Sequence, residues 1–250
     1  MTNSGSPQFS VVTPTLNSAA TIRDTIHSVL EQTYPREEVE HVVVDGASSD
    51  GTVDILREYG HLQWTSEVDN GIFDGMNKGI RMAQGEIIGI LNADDWYEPD
   101  ALETVHRAFE EHPDADVVHG DLNVWHQGEH VRVAKPDLER MNSWRRFIGM
   151  PYKHPTMFVK REVYDRVGLF DTRFRLTADY EFVLRLHEQD VSIQYVAHPI
   201  ANRRPGGRED TRQALLERTR VRHEYGLPWL AAFALVNYKL IRRAVRQRNG

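Results

Sequence analysis

Short apolar runs alternate with helix-like segments along the first 120 residues. The runs are FSVVT at 9–13, VEHVVVD at 39–45, LQWTS at 62–66, EIIGIL at 86–91 and ADVVHG at 115–120. Between them, apolar residues recur at helical spacing, as at Ile22, Ile26, Val29 and Leu30. Strands that alternate with helices in this way predict βαβ units and a mostly parallel sheet that helices cover on both faces.

The pattern changes after Gly120. A hairpin is predicted around Gln127–Gly128, then a strand and helix at 154–168, a helix at 179–190 and a strand at 191–197. There is no internal repeat and no clear linker, so we predict one α/β domain in two parts. The predicted divisions are a flexible N-terminus at 1–7, a first half at 8–120, a second half at 121–202, and a basic loop with C-terminal amphipathic helices at 203–250.

Charge is distributed unevenly along the 250 residues. Residues 203–250 contain twelve Arg or Lys and four Asp or Glu, whereas the whole chain has a formal net charge of −7. A basic tail on an acidic body is typical of a segment that faces an anionic partner, such as a membrane surface or a phosphorylated substrate. The alternative is a solvated helix with scattered arginines. Nucleic acid is not expected as a partner, because the basic region lacks regularly interleaved aromatic residues.

The sequence contains no cysteine. Disulfides and thiolate metal sites are therefore excluded, and any metal would need oxygen or imidazole ligands. The first residues, MTNSGSPQ, lack the basic and apolar regions of a signal peptide, so we expect a cytoplasmic protein. The apolar stretch at 227–236 is too short to span a bilayer, which needs about 20 residues.

Polar loops follow the first, second and fourth predicted strands. They read PTLN at 14–17, DGASSDG at 45–51 and NADD at 92–95. The carboxyl ends of parallel strands meet at one edge of a sheet, where ligands bind, so these loops are expected to lie together. Asp45 directly follows three buried valines, which favours a binding role; the alternative is a loop carboxylate that caps the next helix.

Asp94 and Asp95 are adjacent carboxylates that repel each other, so their surroundings must offset this repulsion. One interpretation is an acidic N-terminus for the next helix, with Pro99 at its first position and Asp100 in its first turn. The other is a hard cation bound together with a substrate diphosphate. No Walker A or GxGxxG pattern is present, which disfavours a P-loop kinase and a dinucleotide dehydrogenase.

Four motifs in fixed order resemble one enzyme family. They are SVVTPTLN at 10–17, VVVDGASSDGT at 42–52, DNGIFDGMNKGI at 69–80 and ILNADDWY at 90–97. Together they resemble the family 2 inverting glycosyltransferases, over roughly residues 8–200. The resemblance implies the GT-A fold: a Rossmann-like, mostly parallel central sheet flanked by helices, with a smaller acceptor-side part at 121–202 and a C-terminal helical tail.

The resemblance also implies which residues bind a nucleotide-sugar donor in the half at 8–120. In the family, the loop after the first strand and the aspartate after the second hold the nucleotide, a later stretch lines its pocket, and a DxD-type motif binds the ribose and a divalent metal. The matching nucleotide-sugar residues are Thr13, Pro14, Thr15, Asn17, Asp45, Asp69, Asn70, Gly71, Lys78, Asn92 and Asp94. Asn92 occupies the first position of the DxD-type motif, which leaves Asp94 and Asp95 to bind Mn²⁺ or Mg²⁺.

An inverting transfer needs one carboxylate that takes the proton of the acceptor hydroxyl. The segment GLFDTRFRLTADYEF at 168–182 resembles the family's late motif, in which an aspartate at the start of a helix is that base. Asp179 matches it, although Ala178 stands where many members have Glu. Asp171 and Glu181 are the local competitors, and an ordinary carboxylate at a helix N-terminus is the structural alternative for Asp179.

Three further side chains are candidates for the acceptor side or for a mobile loop. His154 either contacts substrate or packs in the core. Arg203 and Arg204, together with Arg208, sit on a Gly/Pro-rich loop that either closes over the diphosphate, with Gly206 and Gly207 as hinges, or is an exposed basic linker. Trp96 and Tyr97 have two interpretations as well: they stack on a sugar or pack under the loop.

The expected partners are a UDP-, GDP- or dTDP-linked sugar donor and a glycan or lipid-linked acceptor, in cell-surface polysaccharide or glycolipid synthesis. No QxxRW pattern of processive synthases occurs, so we expect transfer of a single sugar. The tail combines Trp229, Leu230, Phe233 and Val236 with basic residues. It predicts either a peripheral helix on the anionic inner face of the cell membrane or a helix packed on the domain or on a second copy in a homodimer.

Two alternatives to a glycosyltransferase remain at this point. One is a sugar-phosphate nucleotidyltransferase, which shares a metal site at the ends of strands. The other is a GT-A-like protein without turnover that docks on a membrane by its tail.

Overall fold

A computed structural model describes residues 7–140, 144–204 and 211–236. The predicted flexible N-terminus therefore lies, apart from Pro7, outside the described residues, as do most of the Gly/Pro-rich loop and the last fourteen residues. The strands are β1 Phe9–Thr15, β2 Val39–Asp45, β3 Gln63–Ser66, β4 Ile87–Ile90, β5 Trp96–Tyr97, β6 Val117–His126, β7 Glu129–Ala134, β8 Met157–Lys160 and β9 Ile193–Arg203. The α-helices are α1 Ile22–Leu30, α2 Thr52–Arg57, α3 Ile72–Met82, α4 Ala101–Glu111, α5 Arg161–Val167, α6 Ala178–Glu188 and α7 Arg212–Glu224, and a further helical segment covers 229–236.

The described strands form one sheet in the order β3-β2-β1-β4-β8-β6-β9-β5, with β7 paired to β6. The first four strands in this order pair in parallel. β8 runs antiparallel to both β4 and β6, whereas β6 and β9 pair in parallel. The predicted βαβ half is thus joined to a mixed half through the single strand β8.

Helices cover the sheet on both faces, as the sequence pattern predicts. Alternate residues of β1 enter different cores: Val12 packs with the α3 side chains, and Phe9 and Val11 pack with those of α4. A third cluster joins Val43 of β2 to α1 and α2. Strands buried in this way need near-continuous apolar runs, which is how β1, β2 and β4 read in the sequence.

The predicted start of α4 is wrong. Pro99 does not occupy the first helical position, because α4 begins at Ala101 and its N-cap is Asp100. The Asp100 side chain makes no capping hydrogen bond and instead lies 3.1 Å from His198 Nε2. Asp95 and Asp94 lie six and seven residues before Ala101, outside the first turn of α4, so an acidic N-terminus of this helix does not explain them.

Helix α3 packs on β1 and β2 through Gly79. A Cβ atom at this position would lie 2.3 Å from Val12 Cγ1 and 3.4 Å from Val44 Cγ2, and both valines are fully buried. The absence of a side chain therefore lets α3 approach the sheet and sets the depth at which residues 69–78 sit.

We predict that Gly79→Ala destabilises the protein although alanine is the better helix former. Helix propensity favours alanine by about 1 kcal/mol, but overpacking a buried contact costs about 1–3 kcal/mol. The net loss in the free energy of unfolding, measured by urea denaturation, should reach about 2 kcal/mol. The matched control is Gly60→Ala, where a Cβ meets no atom within 4 Å and stability should not fall. An equal response of the two variants would contradict this packing.

Candidate active site

Strand register brings the predicted loops to one edge of the sheet. Thr15 pairs with Asp45, and Asp45 pairs with Ser66, so β1, β2 and β3 end at the same level. Ile90 of β4 pairs with Val12, which places residues 92–95 beside the loop after β1. The prediction that these loops share an edge is confirmed.

Asp45 is fully buried at this edge, and three donors satisfy its carboxylate. Oδ2 accepts hydrogen bonds from Ser48 N at 2.9 Å and Ser66 Oγ at 2.6 Å, and Oδ1 accepts one from the Ser48 hydroxyl. Such donors make a buried carboxylate tolerable. The capping alternative does not apply to Asp45, because Asp50 accepts the Thr52 amide at 3.0 Å.

Asn17 joins the loop after β1 to the loop after β2. Its backbone N–H donates to Ser48 Oγ at 2.7 Å, and its side-chain oxygen accepts from Ser49 N at 2.9 Å. It adopts a left-handed conformation with φ of 51°, which asparagine tolerates better than most residues. Thr13 lies two residues before the end of β1, and its hydroxyl is bonded to Nε2 of buried His41 at 2.9 Å.

The second predicted stretch folds back over the Asp45 turn. Asp69 covers Gly46, where a Cβ atom would lie only 2.8 Å from Asp69 Oδ2. Asp69 Oδ1 accepts from Gly71 N at 2.9 Å, and Gly71 has φ of 115°, a conformation that favours glycine. Lys78 Nζ lies 2.8 Å from Glu67, and the charges of Asp69 and Asp74 also act on it.

Pro14 and Asn70 complete this part of the edge. Pro14 packs under α3. A Cβ atom added to Gly75 would lie 3.5 Å from the Cβ atom of Pro14. The backbone N–H of Asn70 donates to Asp74 Oδ2 at 3.0 Å. The structure thus brings together all the predicted residues of the loops at 14–17, 45 and 69–78.

The two adjacent carboxylates of the DxD-type motif have different environments. Asp95 is 1% exposed, whereas Asp94 is exposed to solvent. Burial raises the pKa of Asp95 to about 8, and the Asp94 charge adds to this; a hydrogen bond from Asn92, the Arg203 charge and the Arg204 backbone act in the opposite direction. Asn92 Nδ2 donates to Asp95 Oδ2 at 3.3 Å.

Two oxygens of this motif lack donors. Asp95 Oδ1 and Asn92 Oδ1 are buried, and neither has a hydrogen-bond partner within residues 7–140, 144–204 and 211–236. Over the same residues, no three or more His, Asp or Glu side chains converge as a ready-made metal centre. Two carboxylates with an unsatisfied buried oxygen fit a hard divalent cation that takes its remaining ligands from a substrate diphosphate and water.

Three side chains hold the loop at 93–95 in place by donating hydrogen bonds to its successive backbone carbonyls. Thr21 Oγ1 donates to Ala93 O and Thr25 Oγ1 to Asp95 O, each at 2.7 Å, so α1 supports both. Arg204 Nη1 donates to Asp94 O at 3.0 Å.

Arg204 clamps this loop rather than extending into solvent. Its guanidinium also pairs with Asp24 of α1 and lies 4.5 Å from the centroid of the Trp96 ring. Trp96 packs further against Trp125, with ring centroids 5.6 Å apart, and Tyr97 is buried, so both aromatic residues pack under the loop. Arg208, Gly206 and Gly207 lie outside the described residues.

The acceptor-side candidates approach the same edge from β8. In the antiparallel register, Gly89 of β4 pairs with Phe158 of β8, so the turn His154–Thr156 lies alongside residues 91–93. Burial lowers the pKa of His154, and the charge of nearby Asp179 acts in the opposite direction. Asp179 is half-buried in the first turn of α6.

The local competitors of Asp179 are occupied by arginines. Asp171 lies 2.6 Å from Arg173 Nη2, and Glu181 lies 2.8 Å from Arg185 Nη2. Glu181 is also buried and accepts the Tyr225 hydroxyl at 2.6 Å. Of the three carboxylates, Asp179 is the one whose charge acts on His154, which lies alongside residues 91–93.

Sequence reasoning missed Asn77, which joins the two halves. Its side chain accepts from Phe170 N at 3.0 Å and donates to Phe170 O at 2.8 Å, and it is 4% exposed. A signal was present: Asn77 lies on the buried face of α3 with Phe73, Met76 and Ile80. A polar side chain on an apolar helix face indicates a buried hydrogen bond.

The family model for glycosyl transferase family 2 matches residues 10–168. The chain belongs to this family. A PGL/p-HBAD biosynthesis glycosyltransferase of Mycobacterium bovis is 31% identical over 201 residues, which are 78% of this chain and 75% of that protein. Family membership decides against the nucleotidyltransferase alternative.

Solved structures confirm the predicted GT-A fold. Staphylococcus aureus TarS 1–349 in complex with UDP-GlcNAc matches with a TM-score of 0.72 and 19% identity, over 92% of this chain and 70% of that chain. The Pyrobaculum calidifontis mannosyltransferase PcManGT, in complex with GDP-Man and Mn²⁺, matches with a TM-score of 0.64 and 21% identity, over 96% and 65%. A longer TarS chain is covered over only 42% of its length.

We predict that Arg204→Ala loosens the loop at 93–97. A hydrogen bond from a charged donor contributes about 1.5–3 kcal/mol, so backbone amides of this loop should exchange with deuterium about 10- to 150-fold faster. Hydrogen exchange read by mass spectrometry measures this. The control is Arg23→Ala. Arg23 lies on α1 next to Asp24, and its exposed ion pair is with Glu58 at the end of α2, so its loss should leave the loop unchanged. Unchanged exchange in Arg204→Ala would rule out the clamp.

Proposed function

We propose that this family 2 glycosyltransferase transfers one sugar from a nucleotide-diphosphate sugar to an acceptor hydroxyl, with inversion and with a divalent metal. The observation that carries the proposal is the convergence of five carboxylates at one sheet edge, those of Asp45, Asp69, Asp94, Asp95 and Asp179. Asp45 and Asp69 lie on one side of the 92–95 loop, and Asp179 approaches that loop from the other side, beside His154.

The donor would lie between the β1 and β3 loops and the 92–95 loop. Asp45 would recognise the base, and Asn92 and Asp94 the ribose, with the stretch at 69–78 lining the pocket. The structural neighbours were solved with UDP-GlcNAc and with GDP-Man, and a UDP-, GDP- or dTDP-linked sugar is the corresponding donor class here.

Asp94 and Asp95 are the residues that would hold Mn²⁺ or Mg²⁺. Bound there, the cation would neutralise charge on the leaving diphosphate. The unsatisfied Asp95 Oδ1 supports this assignment, and PcManGT was solved with Mn²⁺.

Asp179 is the proposed general base. The acceptor oxygen attacks the anomeric carbon while its proton passes to the Asp179 carboxylate. The bond between that carbon and the diphosphate oxygen breaks, and nucleoside diphosphate leaves. A single displacement of this kind inverts the configuration at the anomeric carbon.

The proposed acceptor is a glycan or a lipid-linked glycan in cell-surface polysaccharide or glycolipid synthesis. The mycobacterial relative is named for PGL/p-HBAD biosynthesis. We retain the cytoplasmic location expected from the sequence as part of the proposal.

We predict that Asp179→Asn abolishes transfer but not donor binding. General-base catalysis contributes about 10²–10⁴-fold, so kcat should fall by that factor while the KM for the donor changes little. Release of nucleoside diphosphate from UDP-GlcNAc and GDP-Man, with an acceptor screen, is the assay.

Asp171→Asn is the matched control for this variant, because it removes a nearby carboxylate that is bound to Arg173. Full turnover by Asp179→Asn would overturn the assignment of the base. Donor binding by the wild-type protein without any product would support the alternative of a protein without turnover.

We further predict that donor binding depends on the cation. At about 100 times Kd a ligand adds about 2.7 kcal/mol to apparent stability, which raises Tm by several degrees. A thermal-shift screen of nucleotide sugars should give this rise with Mn²⁺ and lose most of it with EDTA or in Asp95→Asn. The control Asp100→Asn removes a carboxylate five residues away and should keep the shift. An equal Tm rise with EDTA would contradict the metal site.

A further inference from the structure

The helical segment 229–236 leaves large apolar side chains in solvent. Leu230 is 88% exposed, Phe233 46% and Trp229 43%, whereas Ala232 and Val236 of the same segment are buried. One side of the segment thus completes the protein interior, and the other is an apolar surface that nothing in the described residues covers.

These side chains form one ordered surface together with the end of α7. The His223 ring stacks on Trp229 at 4.2 Å between centroids, and Trp229 lies 5.9 Å from Phe233. We call His223, Trp229, Leu230 and Phe233 the aromatic face. Contiguous exposed apolar patches on monomeric proteins mark interaction sites.

Basic residues lie on α7 before the aromatic face and follow it in the sequence. On α7, exposed Arg212, Leu216, Arg220 and Glu224 lie at four-residue intervals in one stripe, and the last of them adjoins His223. Beyond Glu224 the sequence has no acidic residue up to its end at position 250. The same stretch has five basic residues, which lie outside the described residues: Lys239, Arg242, Arg243, Arg246 and Arg248.

The two occupants to compare are a lipid surface and a second copy of this chain. In a symmetric dimer the same surface meets itself, which brings the like charges of Arg212 and Arg220 together. Exposed Glu224, the one acidic residue of this stripe of α7, already lies 3.6 Å from Arg173. An anionic bilayer supplies the complementary charge, and tryptophan favours the level of the lipid headgroups. No helix of the described residues is long and apolar enough to cross a bilayer.

We propose that the aromatic face docks on an anionic lipid bilayer, with segment 229–236 lying in the plane of the interface. Interfacial helices have this combination of a tryptophan- and leucine-bearing face with basic flanks. The sequence pattern left open whether this segment packs on the protein or lies on a membrane. In the structure one side of the segment packs on the protein, and the other side faces outward.

The docking surface is one helix away from the proposed base. Glu217 of α7 accepts a hydrogen bond from Leu176 N at 2.7 Å, just before α6, whose first turn carries Asp179. If the proposed function holds, docking brings the acceptor side of the site close to the bilayer, which suits a lipid-linked acceptor; docking itself does not depend on that function.

The test is flotation of the full chain with vesicles, without any nucleotide sugar. Wild-type protein should float with vesicles of phosphatidylcholine and phosphatidylglycerol and much less with phosphatidylcholine alone. Trp229→Ser/Leu230→Ser/Phe233→Ser should lower the partition coefficient about tenfold or more, because three apolar side chains leave the interface. Arg220→Gln should lower it about fivefold, since one cation near the surface contributes about 1 kcal/mol.

The matched control is Val131→Ser/Val133→Ser, which removes two exposed apolar residues from β7 and should float like the wild type. Leu230→Ser is the second variant if the triple variant does not fold by circular dichroism. Equal flotation of wild type and folded aromatic-face variants would overturn the proposal. So would a wild-type dimer in light scattering that fails to float and becomes monomeric in the triple variant, which would assign the face to a second copy.

Discussion

The parallel register of β1 with β2 and β4 is the constraint on which the candidate site depends. It pairs Thr15 with Asp45 and Val12 with Ile90, so three strands end at one level and their polar loops converge. A shift of one residue would turn the side chains of a strand to the other face and move Asp45 out of its set of serine donors. The register is fixed because alternate residues of β1 enter two different apolar cores. Core packing on both faces of the sheet therefore determines where the carboxylates of the loops lie.

The second half of the site is positioned by two buried polar contacts from outside it. Asn77 of α3 holds both backbone groups of Phe170, and Glu217 of α7 accepts the Leu176 amide. These contacts fix both ends of the segment that leads into α6 and hence the position of Asp179. Each would leave buried backbone groups unsatisfied if it were lost. The donor-side helix α3 thus shapes the acceptor side through side-chain hydrogen bonds rather than through the sheet.

Local periodicity predicted the βαβ half well because each element there has its own apolar pattern. The strands β1 to β4, the helix α1 and the hairpin of β6 and β7 all occur where the sequence predicts them. The contacts that complete the site are different, since Asn77 and Phe170 are 93 residues apart and Arg204 and Asp94 are 110 apart. Local patterns carry no information about such pairs. The prediction for the start of α4 was wrong for a related reason. Pro99 fits a helix start locally, but the chain first forms β5, which pairs with β9.

The adjacent carboxylates of residues 94 and 95 are tolerated because their environments differ and because the loop does not rely on them. Asp94 is solvated, and burial raises the pKa of Asp95, which disfavours a second charge at short range. The loop is held by its backbone instead, since the carbonyls of residues 93, 94 and 95 each accept a hydrogen bond from Thr21, Arg204 and Thr25 in turn. Backbone anchoring separates the shape of the loop from the chemistry of its side chains. A carboxylate that is not needed to hold its own loop can bind a ligand without loosening that loop, and the unsatisfied oxygen of Asp95 is what such a separation leaves behind.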